Sequence, residues 1–244
     1  MMPAMAALLS LERREQVAVV TLQRPEKRNA LSIDLRVELA EAFGGLGKDP
    51  EVGAIVLTGA PPAFCSGMDT SQFGGNRAHR ERLVETSLAS FRAVGWCSKP
   101  VVAAVNGPAL AGGFALALLC DLRLAAEEAS FGFPELPRGI PPSYAAARAA
   151  LPAPVAAELT LTGRLLDAAG ALRIGIVGAV HPADELMPRA VELAGRIASA
   201  PREATIQTKR RILLDRDRMI GQLFDEEERL LREALLGDDP DRAA

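Results

Sequence analysis

Apolar residues along this chain fall into two patterns, short unbroken runs and runs with helical spacing. Val17–Leu22 (VAVVTL), Gly53–Thr58 (GAIVLT) and Val101–Val105 (VVAAV) are unbroken and rich in β-branched residues, which predicts strands covered on both faces. Between the first two, Arg24–Leu31 (RPEKRNAL) is a polar turn whose Pro25 cannot continue a ladder. Ser32 then stands where a cap belongs, ahead of Leu35, Leu39, Phe43 and Leu46 at steps of one helical turn, with Gly44, Gly45 and Gly47 expected to end that helix. Gln72–His79 is glycine-rich and polar, as a mobile loop would be, and Glu81–Trp96 reads as a helix. Strand, turn and helix thus recur without sequence self-similarity, which predicts an α/β fold.

The stretch Val101–Cys120 carries no charge and is about as long as a bilayer is thick. Asn106-Gly107-Pro108 breaks it with a strong turn signal, and Gly112-Gly113 would be a poor helix interior. Each half then has the length of a buried strand or a core helix, so the stretch reads as core and not membrane. A short strand over Leu122–Ala125 and a Phe-Gly-Phe-Pro-Glu turn follow. Beyond Glu135 the pattern is helical: Ala145–Leu151, Val155–Leu161, Asp167–Ile174, Asp184–Ser199, Arg202–Leu214 and Arg218–Leu236, with one strand over Val177–Val180. Leu223, Leu230, Leu231 and Leu235 form an apolar stripe suited to core or subunit contact. One continuous unit is expected, with a core over residues 1–190 and a helical region over 191–244.

Composition narrows the partners. At 49% hydrophobic residues the chain can bury a sizeable core, and a formal net charge of −3 gives no electrostatic reason to expect nucleic acid. Cys65, Cys97 and Cys120 show neither a disulfide framework nor metal spacing, which suits a reducing cytoplasm. The start, MMPAMAALLS, lacks the basic region of a secretory leader. With two histidines in the chain, a His-based metal site or catalytic triad has little material.

The candidate chemistry centres on Glu135. Apolar neighbours Phe131, Phe133 and Leu136 should raise its affinity for a proton, as general acid–base work requires. Glycine-bearing turns at Gly67-Met68 and Gly112-Gly113 can offer the backbone N–H groups of Met68 and Gly112 to a developing oxyanion, each worth roughly 3 kcal/mol in a dry site. The bland alternative makes Glu135 a helix-end carboxylate paired with Arg138. Ser66 or Cys65 as a nucleophile lacks a base nearby in sequence. Lys27 and Arg28 could meet a phosphate or form a solvated surface pair, and Ser143-Tyr144 could line a pocket or satisfy a helix start.

Taken in order, Arg24–Leu31, Ala63–Asp69 (AFCSGMD), Lys99–Gly107 (KPVVAAVNG), Gly112-Gly113, Cys120-Asp121 and Phe131–Glu135 (FGFPE) resemble the enoyl-CoA hydratase/isomerase (crotonase) superfamily. The resemblance implies a spiral of ββα units with a C-terminal helical trimerisation region, assembled as a trimer or dimer of trimers. It implies a coenzyme A thioester as substrate, without a metal or separate cofactor. The thioester oxygen would lie between the N–H groups of Met68 and Gly112, with Glu135 moving the proton. Arg28, Ala30, Ser66, Gly67 and Asp69 would hold the adenine and phosphates, with Gly113 beside them in the substrate site.

Departures from the family pattern shape the expected reaction. Hydratases of the family carry a second glutamate three residues after the oxyanion glycine, where this chain has Ala115. One carboxylate suits moving a proton between two carbons of one ligand, so double-bond isomerisation is expected. Hydration with help from another residue, for which Gln72–His79 is the candidate segment, and a non-catalytic acyl-CoA-binding role are the alternatives. The short ending Asp238–Ala244 weakens the expectation of tight adenine binding, and Pro137, Pro141 and Pro142 are expected to reshape the acyl pocket.

Overall fold

The computed structural model describes residues 7–237. Most of the stretch weighed as a leader, and the Asp238–Ala244 ending, lie outside the described residues. The runs read as strands form β2 (Val17–Leu22), β3 (Ala54–Gly59), β4 (Val101–Val105), β6 (Leu122–Ala126) and β9 (Ala179–His181), which pair in parallel in that order. At one edge lies β1 (Leu9–Arg14), antiparallel to β2 and absent from the sequence reading. Its exposed Glu12, Arg13 and Arg14 lack the apolar signature because it is an edge, where charge discourages further pairing.

Both faces of this sheet are covered, which explains the unbroken runs. Val17, Val19, Val56, Val102 and Ala104 pack against Leu186, Ala190 and Ala194 of α7 (Ala183–Ala198). The alternate positions Ala18, Val20, Leu57, Ala103 and Val105 face the main core, with Leu35, Leu39 and Phe43 of α1 (Ile33–Lys48) and Phe114 and Leu118 of α3 (Gly112–Leu119). The expected division after residue 190 falls inside α7. A second sheet joins β5 (Ala109–Leu110), β7 (Ser130–Gly132) and β8 (Leu166–Asp167), and bridges Cys65 to Ala109.

Three helix limits differ from expectation. Ser32 caps α1 by accepting from Leu35 N–H at 3.3 Å, but the helix runs through Gly44, Gly45 and Gly47 to Lys48. Packing of Leu35, Leu39 and Phe43 outweighs the glycine penalty there. The polar loop ends early, because Asn76 accepts from His79 N–H and starts α2 (Arg77–Gly95). The two last helices are one, α8 (Arg202–Leu236), since the polar Asp215–Arg218 bridge contains no glycine or proline. Arg216 within that bridge is buried, donating to Gly95 O and lying 3.3 Å from Asp121, where Lys209 also binds at 2.6 Å. Short helices α4 (Tyr144–Ala150), α5 (Ala153–Thr162) and α6 (Ala168–Arg173) match expectation closely.

Candidate active site

The segments quoted for the thioester site meet at the edge of the second sheet. The Arg24–Leu31 turn is held by two consecutive left-handed residues, Arg28 (φ 50°) and Asn29 (φ 55°). The buried Asn29 side chain donates to Ala60 O at 2.8 Å and Ala63 O at 2.7 Å, and accepts from Arg24 N–H at 2.9 Å. Ser66 N–H donates to Arg28 O (3.0 Å), Leu31 N–H to Gly67 O (2.8 Å), and Asp69 N–H to Leu31 O (3.3 Å). Arg28, Ala30, Ser66, Gly67 and Asp69 are therefore neighbours. Arg28 is exposed, whereas the Asp69 carboxylate is committed to Arg24 at 2.9 Å and Ser71 Oγ at 2.6 Å. Burial works against the Asp69 charge, but Ser71 and Arg24 outweigh it and hold its proton affinity below the ordinary aspartate value.

Gly67 brings the two amide-bearing turns into contact. Its φ of 96° suits glycine, and a Cβ there would lie 2.8 Å from Ala111 Cβ and 3.1 Å from Gly112 N. A Cβ on Gly112 would lie 3.7 Å from Met68 Cγ, so Met68 and Gly112 stand side by side. Among the described residues, no protein group accepts from the N–H of Met68 or of Gly112. Gly113 faces the core, where a Cβ would come within 2.1 Å of Cys65 O, so this glycine lets α3 seat directly on the 65–68 turn. Ala111, just ahead of α3, holds φ 51° and ψ −126°, a conformation that L-residues rarely adopt.

Glu135 arrives at the same edge. Leu110 pairs with Gly132 in parallel, and Ala111 N–H donates to Gly132 O at 2.9 Å, so the leads into Gly112 and Glu135 leave neighbouring strands in the same direction. Phe114 of α3 packs on Phe131 and Phe133 with ring centroids 5.7 and 4.8 Å apart. The Glu135 residue is 8% exposed, and its Oε2 is buried without a hydrogen-bond partner among the described residues. Burial pushes its carboxyl up to about 7, while its own backbone amide and the Arg138 charge pull the other way without cancelling that. No ion pair joins it to Arg138 among the described residues, so the helix-end alternative lacks its partner.

The other candidates fall away from the chemistry. Cys65 is fully buried, and that burial pushes its thiol up to about 12, the wrong direction for a nucleophile. Ser66 Oγ donates to Lys27 O at 3.3 Å. Ser143 caps α4, accepting from Ala146 N–H at 3.1 Å and donating to Glu227 Oε2 at 2.7 Å, the satisfied helix start weighed from the sequence. Ala115 is buried and offers no second carboxylate. Sequence reasoning missed Phe91 of α2, whose Cζ would lie 3.3 Å from a Cβ on Gly112. Its helical spacing after Leu83 and Ser87, both buried, was the available signal.

A separate cavity of about 650 Å³ between β6, α7 and α8 is walled by Leu122, Leu193, Ile197, Ile212 and Met219 around Asp121–Lys209, and no proposed site residue lines it. Among the described residues, no cluster of His, Cys, Asp and Glu is arranged to hold a metal, and no helix is long and apolar enough to cross a membrane.

Residues 12–238 match the profile of the family described as Enoyl-CoA hydratase/isomerase. A probable enoyl-CoA hydratase from Mycobacterium leprae is 34% identical over 92% of this chain and 88% of its own. The crystal structure of an enoyl-CoA hydratase/isomerase from Mycobacterium paratuberculosis superposes with a TM-score of 0.88 at 27% identity, covering 96% of each chain. That of a monofunctional enoyl CoA isomerase from M. smegmatis gives 0.73 at 36% identity, over 86% of this chain and 94% of that one. With its structural neighbours and its profile in agreement over nearly the whole length, this chain belongs to the enoyl-CoA hydratase/isomerase family.

Proposed function

We propose that the protein is an acyl-CoA double-bond isomerase in which Glu135 is the single acid–base group. The observation that carries this reading is a nearly buried carboxylate, one oxygen of which has no hydrogen-bond partner among the described residues, on a segment that leaves the strand paired with the one leading to Gly112, with Ala115 where a second acid would stand. The Glu135 carboxylate takes a proton from the carbon next to a 3-enoyl thioester carbonyl. The resulting enolate oxygen accepts from Met68 and Gly112 N–H, and Glu135 returns the same proton two carbons further on. A carboxyl raised to about 7 is close to balanced between giving and taking a proton at neutral pH. The adjacency of Arg28–Ala30 to Ser66–Asp69 supports these segments as the coenzyme A cradle, while Gly113, turned to the core against Cys65 O, serves by seating α3 on the 65–68 turn. Likeness to the M. smegmatis isomerase adds support.

Hydration is the second reading, favoured by relatives named as hydratases, among them a short-chain-enoyl-CoA hydratase from Clostridium acetobutylicum at 38% identity. Incubation with 2-enoyl- and 3-enoyl-CoA in labelled water separates the two. Double-bond migration without oxygen incorporation is expected; incorporation at a comparable rate would replace isomerase with hydratase, and inertness toward both would leave a binding protein. Exposed Ile212, Leu214, Met219, Leu223 and Leu230 along α8 support contact with further copies of the chain; a trimer or dimer of trimers is the assembly proposed, which light scattering would read as a mass.

A further inference from the structure

One turn of α8 grips both walls of the candidate site. On the α2 side, the Arg92 guanidinium lies 5.4 Å from the Phe224 ring centroid and 5.7 Å from that of Trp96, and those two rings meet edge-on at 5.3 Å. Arg92 also lies 2.5 Å from Asp225 and 3.7 Å from Glu228. Its neighbour Phe91 is the side chain set against Gly112. On the other side, Glu227 accepts from Ser143 Oγ at 2.7 Å and from Ala145 N–H at 2.7 Å, closing the start of α4. Helix α4 is the downstream anchor of the segment that begins at Glu135. Residues 136–139 of that segment are exposed, so its position depends on its two ends and on its contact with α5.

We infer that Glu227 is a positioning residue, acting through α4 to set where the Glu135 segment stands relative to Phe91 and the Gly112 amide. The inference rests on the reading of Glu135 given above. Glu227 is not needed to dock α8, because Lys209 and Arg216 already fasten that helix to Asp121 and Gly95. What Glu227 adds is a fixed spacing between two elements that belong to opposite walls. A displacement of about 1 Å at a proton-transfer site can cost on the order of 100-fold in rate.

The test compares Glu227→Ala and Glu227→Gln in the full chain, with Glu226→Ala as a control on the exposed face. Turnover of 3-enoyl-CoA, thermal midpoint, amide exchange and carboxyl NMR of Glu135 are read on each. In Glu227→Ala, kcat is expected to fall about 10- to 100-fold with KM within about threefold of the parent. Exchange should quicken over 138–147 while α1 and β2–β4 stay protected, and the Glu135 titration should move down from about 7 as water reaches it. Glu227→Gln keeps an oxygen for Ala145 N–H and should recover most of each property, and Glu226→Ala should match the parent.

Unchanged kcat in folded Glu227→Ala, or a Gln variant as impaired as Ala, would overturn the assignment. If the parent turns over no enoyl-CoA but exchange and titration respond as described, the isomerase reading fails and the positioning role stands. If neither responds, the positioning role fails whatever the activity.

Discussion

Asp121 and Glu135 are two carboxylates taken out of water and treated in opposite ways. Asp121 accepts from Lys209 at 2.7 and 2.6 Å, from Val101 N–H at 2.8 Å and from Arg216 at 3.3 Å, a cluster whose charges answer one another. Glu135 keeps a buried oxygen with no hydrogen-bond partner among the described residues. Burying a charge costs several kcal/mol unless partners restore what water supplied. The first arrangement joins helix to sheet; the second leaves a carboxyl with raised proton affinity, which the function proposed above would use for proton transfer. On the function proposed above, paired burial serves architecture at Asp121 and unpaired burial serves chemistry at Glu135, a rule that other bare buried nitrogens put to the test.

The largest expected effect is on turnover. Glu135→Gln should lower kcat by roughly 10²- to 10⁴-fold, the usual worth of a general acid–base group, while leaving the fold intact. A variant that kept its rate would erase the contrast. Asp121→Ala should do the reverse, costing about 3–5 kcal/mol in urea unfolding by stranding Lys209 and Arg216 while leaving the rate per folded molecule near that of the parent.

The pH dependence sharpens the same point. Glu135 binds its proton more tightly folded, near 7, than in the open chain near 4.5. Its contribution to stability is therefore complete below about pH 4.5 and lost as pH rises through about 7, a change of roughly 3 kcal/mol. Turnover should move the other way, rising through about pH 7 as the carboxylate needed to take the proton forms. In Glu135→Gln that component of the stability slope should vanish, so urea midpoints of parent and variant should converge at acid pH and favour the variant at pH 8.

Arg36 tests the rule at its edge. It is fully buried on α1, donating to Leu83 O at 3.1 Å and Ser87 Oγ at 2.8 Å, while its Nε and Nη2 have no partner among the described residues. Burial pulls it down to about 10, with Cys65 and Asp69 nearby opposing the change. With two bonds made and two nitrogens bare, Arg36→Met is expected to change stability by no more than about 1 kcal/mol in either direction. A loss of turnover in a folded Arg36→Met protein would place this cation with Glu135.

The strands were legible because burial on both faces leaves few polar residues among them, and Ser32 announced its helix through chemistry local to it. Joining of the two final helices was not, since Asp215–Arg218 looks like a solvated linker until Asp121 is known to sit beneath Arg216. At the candidate site, the turns at Gly67 and Gly112-Gly113 and the apolar setting of Glu135 could be read, because turn chemistry and burial are carried by residue type; the roles proposed for them await the variants above. Phe91 and Arg36 could not be assigned, because their significance lies in which helix they face. Edge strand β1 shows the same limit, its charges suiting an exposed border as well as a loop.

Ala111 carries one last consequence. A residue held at φ 51° and ψ −126° resists that shape by about 1–3 kcal/mol, and the surrounding packing supplies the restraint before any ligand arrives. Tension of this sort behaves like a drawn spring latch: the peptide plane leading into Gly112 is aimed in advance, so a carbonyl bound as proposed above would meet a donor that need not turn to greet it.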